Sequence, residues 1–260
     1  MLITKSILYE GYTSTELVNK LREIKLAIFP IGSIEYHGEH LPLDTDTFIA
    51  KNLALKLSEY LINNGIQVLV LPSIPYGASI EWQQYPGTIT LRPMTIIMLI
   101  EDIILSLVNN RIKRILILNA HGGNSESIRV GIKNAIIKLI NEGKEVKIME
   151  IEWWKVVEDE IGKLFPRTPV FTHADEIETS IYLALGGELR KTVTAVKEPS
   201  WLKFIGISRS KVAYYDTISS EVYERNLNIN VDDLKAKGLK LVEAFCKKTA
   251  EMVIRFLIGT

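Results

Sequence analysis

The chain has 260 residues, of which 47% are hydrophobic, and its 31 basic residues balance 31 acidic ones to a formal net charge of zero. That length and apolar content can build a large core, while the charge balance gives no electrostatic footing for nucleic acid or an anionic membrane. A single cysteine, Cys246, excludes a disulfide within the chain. Together with a start that lacks signal-peptide architecture, this gives the expectation of a cytoplasmic protein.

Four short apolar runs, at 26–32, 67–74, 114–122 and 145–153, read as buried parallel strands, with a weaker fifth at 191–197. Helical spacing fills the intervals. Ala50, Ala54, Leu57 and Leu61 share one face of a helix over 47–61, Pro93 opens a second helix, Ser125 a third, and a last one runs over about 232–257 with Cys246 as a buried apolar residue. Alternation of strand and helix predicts an α/β fold, a three-layer α/β/α sandwich around a mainly parallel sheet, in one domain over 1–260. Residues 199–230 lack periodicity and read as a long excursion near a site or an interface.

The chemistry lies in the loops after the strands, where open α/β sheets bind ligands. All four histidines fall in three motifs: PIGSIEYHGEHLPLDTDT after the first strand, NAHGGN after the third, and THADEIETS. In the first, Glu35 and His37 are two residues apart and share a side of an extended chain, and Asp46 returns past the Pro42 turn. A carboxylate using both oxygens can bridge two cations, and Asp46 is the candidate; a loop of solvated charges is the plainer alternative. His121 ends a strand, and Gly122 and Gly123 let the backbone approach a substrate, although HGG alone also suits a simple turn. In the third motif Thr172 and Asp175 suggest a capping box. Glu178 shares a stripe with Ala174, Ile181 and Leu185 and points inward, whereas Asp175 and Glu176 should face out. A buried Glu178 must bind a metal or pair with a basic side chain. His173, just before that helix, is placed for proton transfer, with Glu178 as a second catalytic candidate. Gly87 and Thr88 in YPGTITL read equally as a substrate-facing loop or an ordinary turn, and Trp153 and Trp154 as a pocket wall or core.

Taken together, PIGSIEYHGEHLPLDTDT, YPGTITL, LNAHGGN and HADEIETS resemble the creatininase family over about residues 29–180. The resemblance implies a creatininase-like fold, a homo-oligomer such as a hexamer, and two divalent metal ions per subunit, zinc, manganese or iron(II). Glu35, Asp46 and His121 would hold one ion, and His37 with the bridging Asp46 the other. Creatininase proper has a carboxylate where this chain has Gly123, so Glu178 becomes the candidate for the missing ligand. Many relatives also carry a histidine where this chain has Trp82. The implied activity is hydrolysis of a non-peptide C–N bond of a small molecule by metal-activated hydroxide. Within the family, the HGGN site tilts the substrate toward 2-amino-5-formylamino-6-ribosylaminopyrimidinone 5'-phosphate, losing formate; creatinine and a cofactor-precursor peptide are the alternatives. The rival from another class is a non-catalytic metal- or ligand-binding protein.

Overall fold

Strand β1 (Leu26–Ile31) is buried at every residue and lies between β2 (Val68–Val70) and β3 (Arg114–Asn119), which is flanked in turn by β4 (Lys147–Glu152). All three pairings are parallel, with Ile28 opposite Val70 and Leu116, and Leu116 opposite Met149. The computed structural model describes residues 7–168, 173–192, 194–199, 222–227 and 229–259.

Because side chains alternate across a strand, the sheet feeds two cores. Leu26, Ile28, Leu116 and Leu118 pack on one face with helices α2 (Thr45–Asn63), α7 (Glu176–Ala184) and α8 (Val231–Ile258). Ala27, Phe29, Ile115 and Ile117 pack on the other with α3 (Pro93–Asn109) and α4 (Ser125–Asn141). Each fully buried Leu, Ile or Phe contributes roughly 1.5–3 kcal/mol over its exposed state, so both faces must be covered. The α/β/α layering is as the sequence implies. The stripe Ala50, Ala54, Leu57 and Leu61 is fully buried on α2, joined by Ile49 and Leu53.

Three short helices escape the periodicity argument: α1 (Ser14–Lys20), opened by a capping box between Thr13 and Glu16, α5 (Trp153–Val156) and α6 (Glu158–Leu164). At four to seven residues they are too short to show a repeat of 3.6. The weak fifth strand is corrected. Strand β5 (Ala195–Pro199) begins later than expected and pairs antiparallel with β6 (Val222–Asn226) in a separate ribbon. A short β-branched run carries no sign of which sheet it joins. Most of the 199–230 excursion lies outside the described residues. Among the described residues no helix is long and apolar enough to cross a membrane.

Candidate metal centre

The strand ends converge as the topology requires. Glu35 and His37 follow β1, Ser79 follows β2, and His121 follows β3. Gly32 makes this possible: a Cβ there would lie 2.4 Å from the backbone nitrogen of Thr47, so only glycine lets the chain cross the start of α2. That crossing brings Asp46, in the first turn of α2, against the Glu35–His37 segment, where the helix dipole favours its negative charge. The amide of Glu35 donates to the Leu43 carbonyl at 3.0 Å and that of Tyr36 to the Thr88 hydroxyl at 3.0 Å. Gly87 and Thr88 thus brace the first motif, with Gly87 turning at a φ of +91°.

Glu35, His37, Asp46 and His121 are all buried, and Glu178 reaches them from α7 with its side chain 15% exposed. His121 Nδ1 lies 3.1 Å from Asp46 Oδ2 and 3.3 Å from Glu35 Oε2. His37 Nε2 lies 3.2 Å from Asp46 Oδ1 and 3.9 Å from Glu178 Oε2. His173 Nδ1 is 3.5 Å from Glu35 Oε1.

The opposite nitrogen of each ring is pinned. His37 Nδ1 donates to the Glu35 carbonyl at 3.1 Å, His121 Nε2 to the Ala78 carbonyl at 3.1 Å, and His173 Nε2 to the Tyr36 carbonyl. A carbonyl only accepts, so in each neutral ring the lone pair faces the carboxylates. Metal-binding histidines show this arrangement.

Charge in this cluster is poised for a cation. Burial raises the Glu35 carboxyl against the pull of His121. Burial likewise pushes Glu178 up to about 8, with His37 opposing. Burial disfavours charge on His37, but Asp46 above all outweighs it and the ring is pushed up to about 10; His121, facing Glu35 and Asp46, also reaches about 10. Asp46 is held well below the ordinary range because His37 and His121 overcome its burial. His173 is lowered by burial and by the neighbouring His37. Glu35 Oε2 and Asp46 Oδ2 are buried without an aligned hydrogen bond among the described residues, although His121 Nδ1 is within ion-pair distance of both. Buried carboxylate oxygens in that state call for a positive partner. Three ligand groupings result, Glu35–Asp46–His121, His37–Asp46–Glu178 and Glu35–His37–His173, with ligand atoms within 4.8 Å of one another in each. The donor set fits a divalent cation.

The sequence profile of creatininase, creatinine amidohydrolase, matches residues 10–253. This chain belongs to the creatininase family. It is 28% identical over 183 residues to the creatinine amidohydrolase of Pseudomonas putida, covering 66% of this chain and 68% of that one. It is 34% identical over 110 residues to a mycofactocin precursor peptide peptidase of Mycolicibacterium smegmatis, covering 42% of this chain and 44% of the peptidase, so the match spans less than half of that relative. A solved mutant creatininase of Zn-Zn type superposes with a TM-score of 0.74 at 23% identity, covering 96% of this chain and 97% of that one; a creatininase Mn structure gives the same score and identity.

Other expected positions fall differently. Asp175 does not face out: it is buried as the N-cap of α7 and accepts from the amides of Ile177 and Glu178 at 2.8 and 2.9 Å. Thr172, its expected capping partner, lies outside the described residues. Of its two readings Trp153 takes the core, buried among the apolar residues on one face of the sheet, with Trp154 edge-on and partly buried beside it. Gly122 has open space around it, whereas a Cβ at Gly123 would lie 2.1 Å from the Ala78 carbonyl oxygen.

Several residues of the site were not foreseen. Trp82 stacks on His173 at 3.9 Å between ring centroids, and Tyr36 stacks on Tyr85 at 4.3 Å. Ser79 Oγ reaches His121 Nε2 at 3.3 Å and also contacts the Ser33 hydroxyl. His40 is buried and contacts the Thr179 hydroxyl on α7 at 3.1 Å, tying the first motif to the helix that carries Glu178. The hints in the sequence were the presence of His40 in the first motif and of Trp82 where many relatives carry a histidine.

Proposed function

We propose that this protein is a metal-dependent amidohydrolase with two divalent cations, one held by Glu35, Asp46 and His121 and the other by His37, Asp46 and Glu178. The observation that carries the reading is the pair of groupings joined at Asp46, whose two oxygens face different histidines at 3.2 and 3.1 Å. Imidazole and carboxylate ligands suit zinc, manganese or iron(II), and the zinc and manganese creatininase structures support the first two. A pair of such ions supplies Lewis acidity, lowering the pKa of water from about 16 to about 7 and polarising a carbonyl.

The chain's own residues do the rest. Neutral His173 offers a lone pair on Nδ1, so it accepts a proton first and returns it to the departing nitrogen, a role worth roughly 10²–10⁴ in rate. The indole of Trp82 and the Tyr36 carbonyl hold the ring in that orientation. Glu178 is the second catalytic candidate, as the carboxylate that would complete the ligands of the second cation. Gly122 and Gly123 adjoin His121 in the chain, and Gly87 and Thr88 brace the segment that carries Glu35 and His37.

The substrate reading is a C–N bond next to a carbonyl in a small molecule, with removal of formate from the formylamino-pyrimidine ribotide preferred. The Ala78 carbonyl occupies the space that a side chain at 123 would need, so a ligand there is sterically excluded and Glu178 replaces it. This separates the site from that of creatininase proper. We place the enzyme in the cytoplasm as a homo-oligomer. Metal-stripped protein is reconstituted separately with Zn²⁺, Mn²⁺ and anaerobic Fe²⁺ and offered the ribotide, creatinine and a short peptide. Formate release supports the preferred substrate; creatine or peptide cleavage instead transfers the assignment to that relative's reaction. Failure of all three with two metals bound would overturn the substrate assignment and leave the site standing, whereas one tetrahedral, water-free metal per chain would favour the non-catalytic alternative.

A further inference from the structure

The groupings overlap in a way that two fixed metal positions do not use. Glu35–Asp46–His121 shares Asp46 with His37–Asp46–Glu178 and shares Glu35 with Glu35–His37–His173. Asp46 and Glu35 each have two oxygens and can serve two ions. His37 cannot: its Nδ1–H is committed to the Glu35 carbonyl, which leaves Nε2 alone for a cation. The second and third groupings therefore compete for one nitrogen.

We propose that the second cation has two alternative positions pivoting on His37, one completed by Asp46 and Glu178 and the other by Glu35 and His173. The inference rests on the two-cation reading above. His173 is prepared as a ligand in the same way as His37 and His121, with one ring nitrogen pinned to a backbone carbonyl and the other aimed at a carboxylate. His173 Nδ1 lies 3.5 Å from Glu35 Oε1, so the pair presents a nitrogen and a carboxylate oxygen to one small space. The His37 and His173 rings lie 4.4 Å apart, so the shift is local.

Glu178 is the ligand suited to yielding. It is the most exposed of the three carboxylates, and its Oε2 is also held at 2.6 Å by the amide of Ala174, the residue after His173. Ala174 sits at a φ of +48°, a conformation that costs an alanine energy and that clusters at functional sites. The strained residue thus touches both competing ligands: it follows His173 in the chain, and its amide holds Glu178. Exchange between them would open the Asp46 side of the second ion to substrate while Glu35, Asp46 and His121 keep the first ion in place.

The test reads cobalt stoichiometry and absorption in the full-length protein, with activity set aside. Wild type should bind two Co²⁺ per chain. Glu178→Gln should still bind two, with visible bands changed by the exchange of an oxygen ligand for nitrogen. Glu178→Gln combined with His173→Gln should bind one, the retained first ion showing that the variant is folded. A fall to one in Glu178→Gln alone, or two ions retained in the double variant, would overturn the alternative position. Fewer than two ions in wild type would instead overturn the two-cation reading beneath it.

Discussion

Filling the centre must expel protons, and the structure sets their number. Without a cation, His37 and His121 are both pushed up to about 10 and each holds a proton at pH 7, and Glu178, at about 8, is mostly protonated as well. Asp46 is held low and His173 is lowered by burial, so neither contributes, whereas Glu35, raised by burial, adds to the count. Metal ligands bind in deprotonated form, so occupancy of both positions at pH 7 should release at least about two protons per chain. The sign follows from the raised values: protons compete more strongly as pH falls, and apparent affinity drops by about tenfold per pH unit for each proton displaced. The dependence fades only above about 10, where the histidines have already lost theirs. Calorimetric titration of Zn²⁺ into stripped protein, in buffers of different ionisation enthalpy, gives the proton count as a slope. A slope near zero at pH 7 would show that the cation does not displace these histidine protons, and the ligand assignment would fall.

Three further outcomes follow from the same geometry. His173→Ala should keep bound metal and lose turnover by about 10²–10⁴; metal content by plasma emission beside a steady-state assay separates this from a loss of the centre. Gly123→Ala must push a methyl group against the Ala78 carbonyl, so it should destabilise by about 1–3 kcal/mol and lower Tm by roughly 2–10 °C in a thermal melt; an unchanged Tm would mean that the loop gives way freely. The Cys246 thiol is buried and pushed up to about 12, so it should resist a thiol-specific reagent at pH 8 until denaturant is added.

The sequence disclosed the site better than its surroundings. Glu35, His37, Asp46 and His121 stand in glycine-rich text after strands, and topology alone carries such loops to one edge of a parallel sheet. Glu178 could be aimed inward because a helix of nine residues shows its stripe. Its neighbour Asp175 could not be placed, because capping takes it out of the helical wheel and turns it back onto the backbone. Trp153 opens a short helix instead of ending a strand, and of its two readings, pocket wall or core, it takes the core. The carbonyls that orient the histidines left no trace in the sequence at all. Tyr36 and His173 are 137 residues apart, and every residue type carries the acceptor that joins them.

The central claim is that Asp46 joins two cations. It is tested most directly by metal content after reconstitution with Mn²⁺ and exhaustive dialysis, comparing wild type with Asp46→Ala. The account predicts two ions per chain in wild type and at most one, weakly held, in a variant that remains folded by circular dichroism. Two firmly held ions in the variant would contradict it.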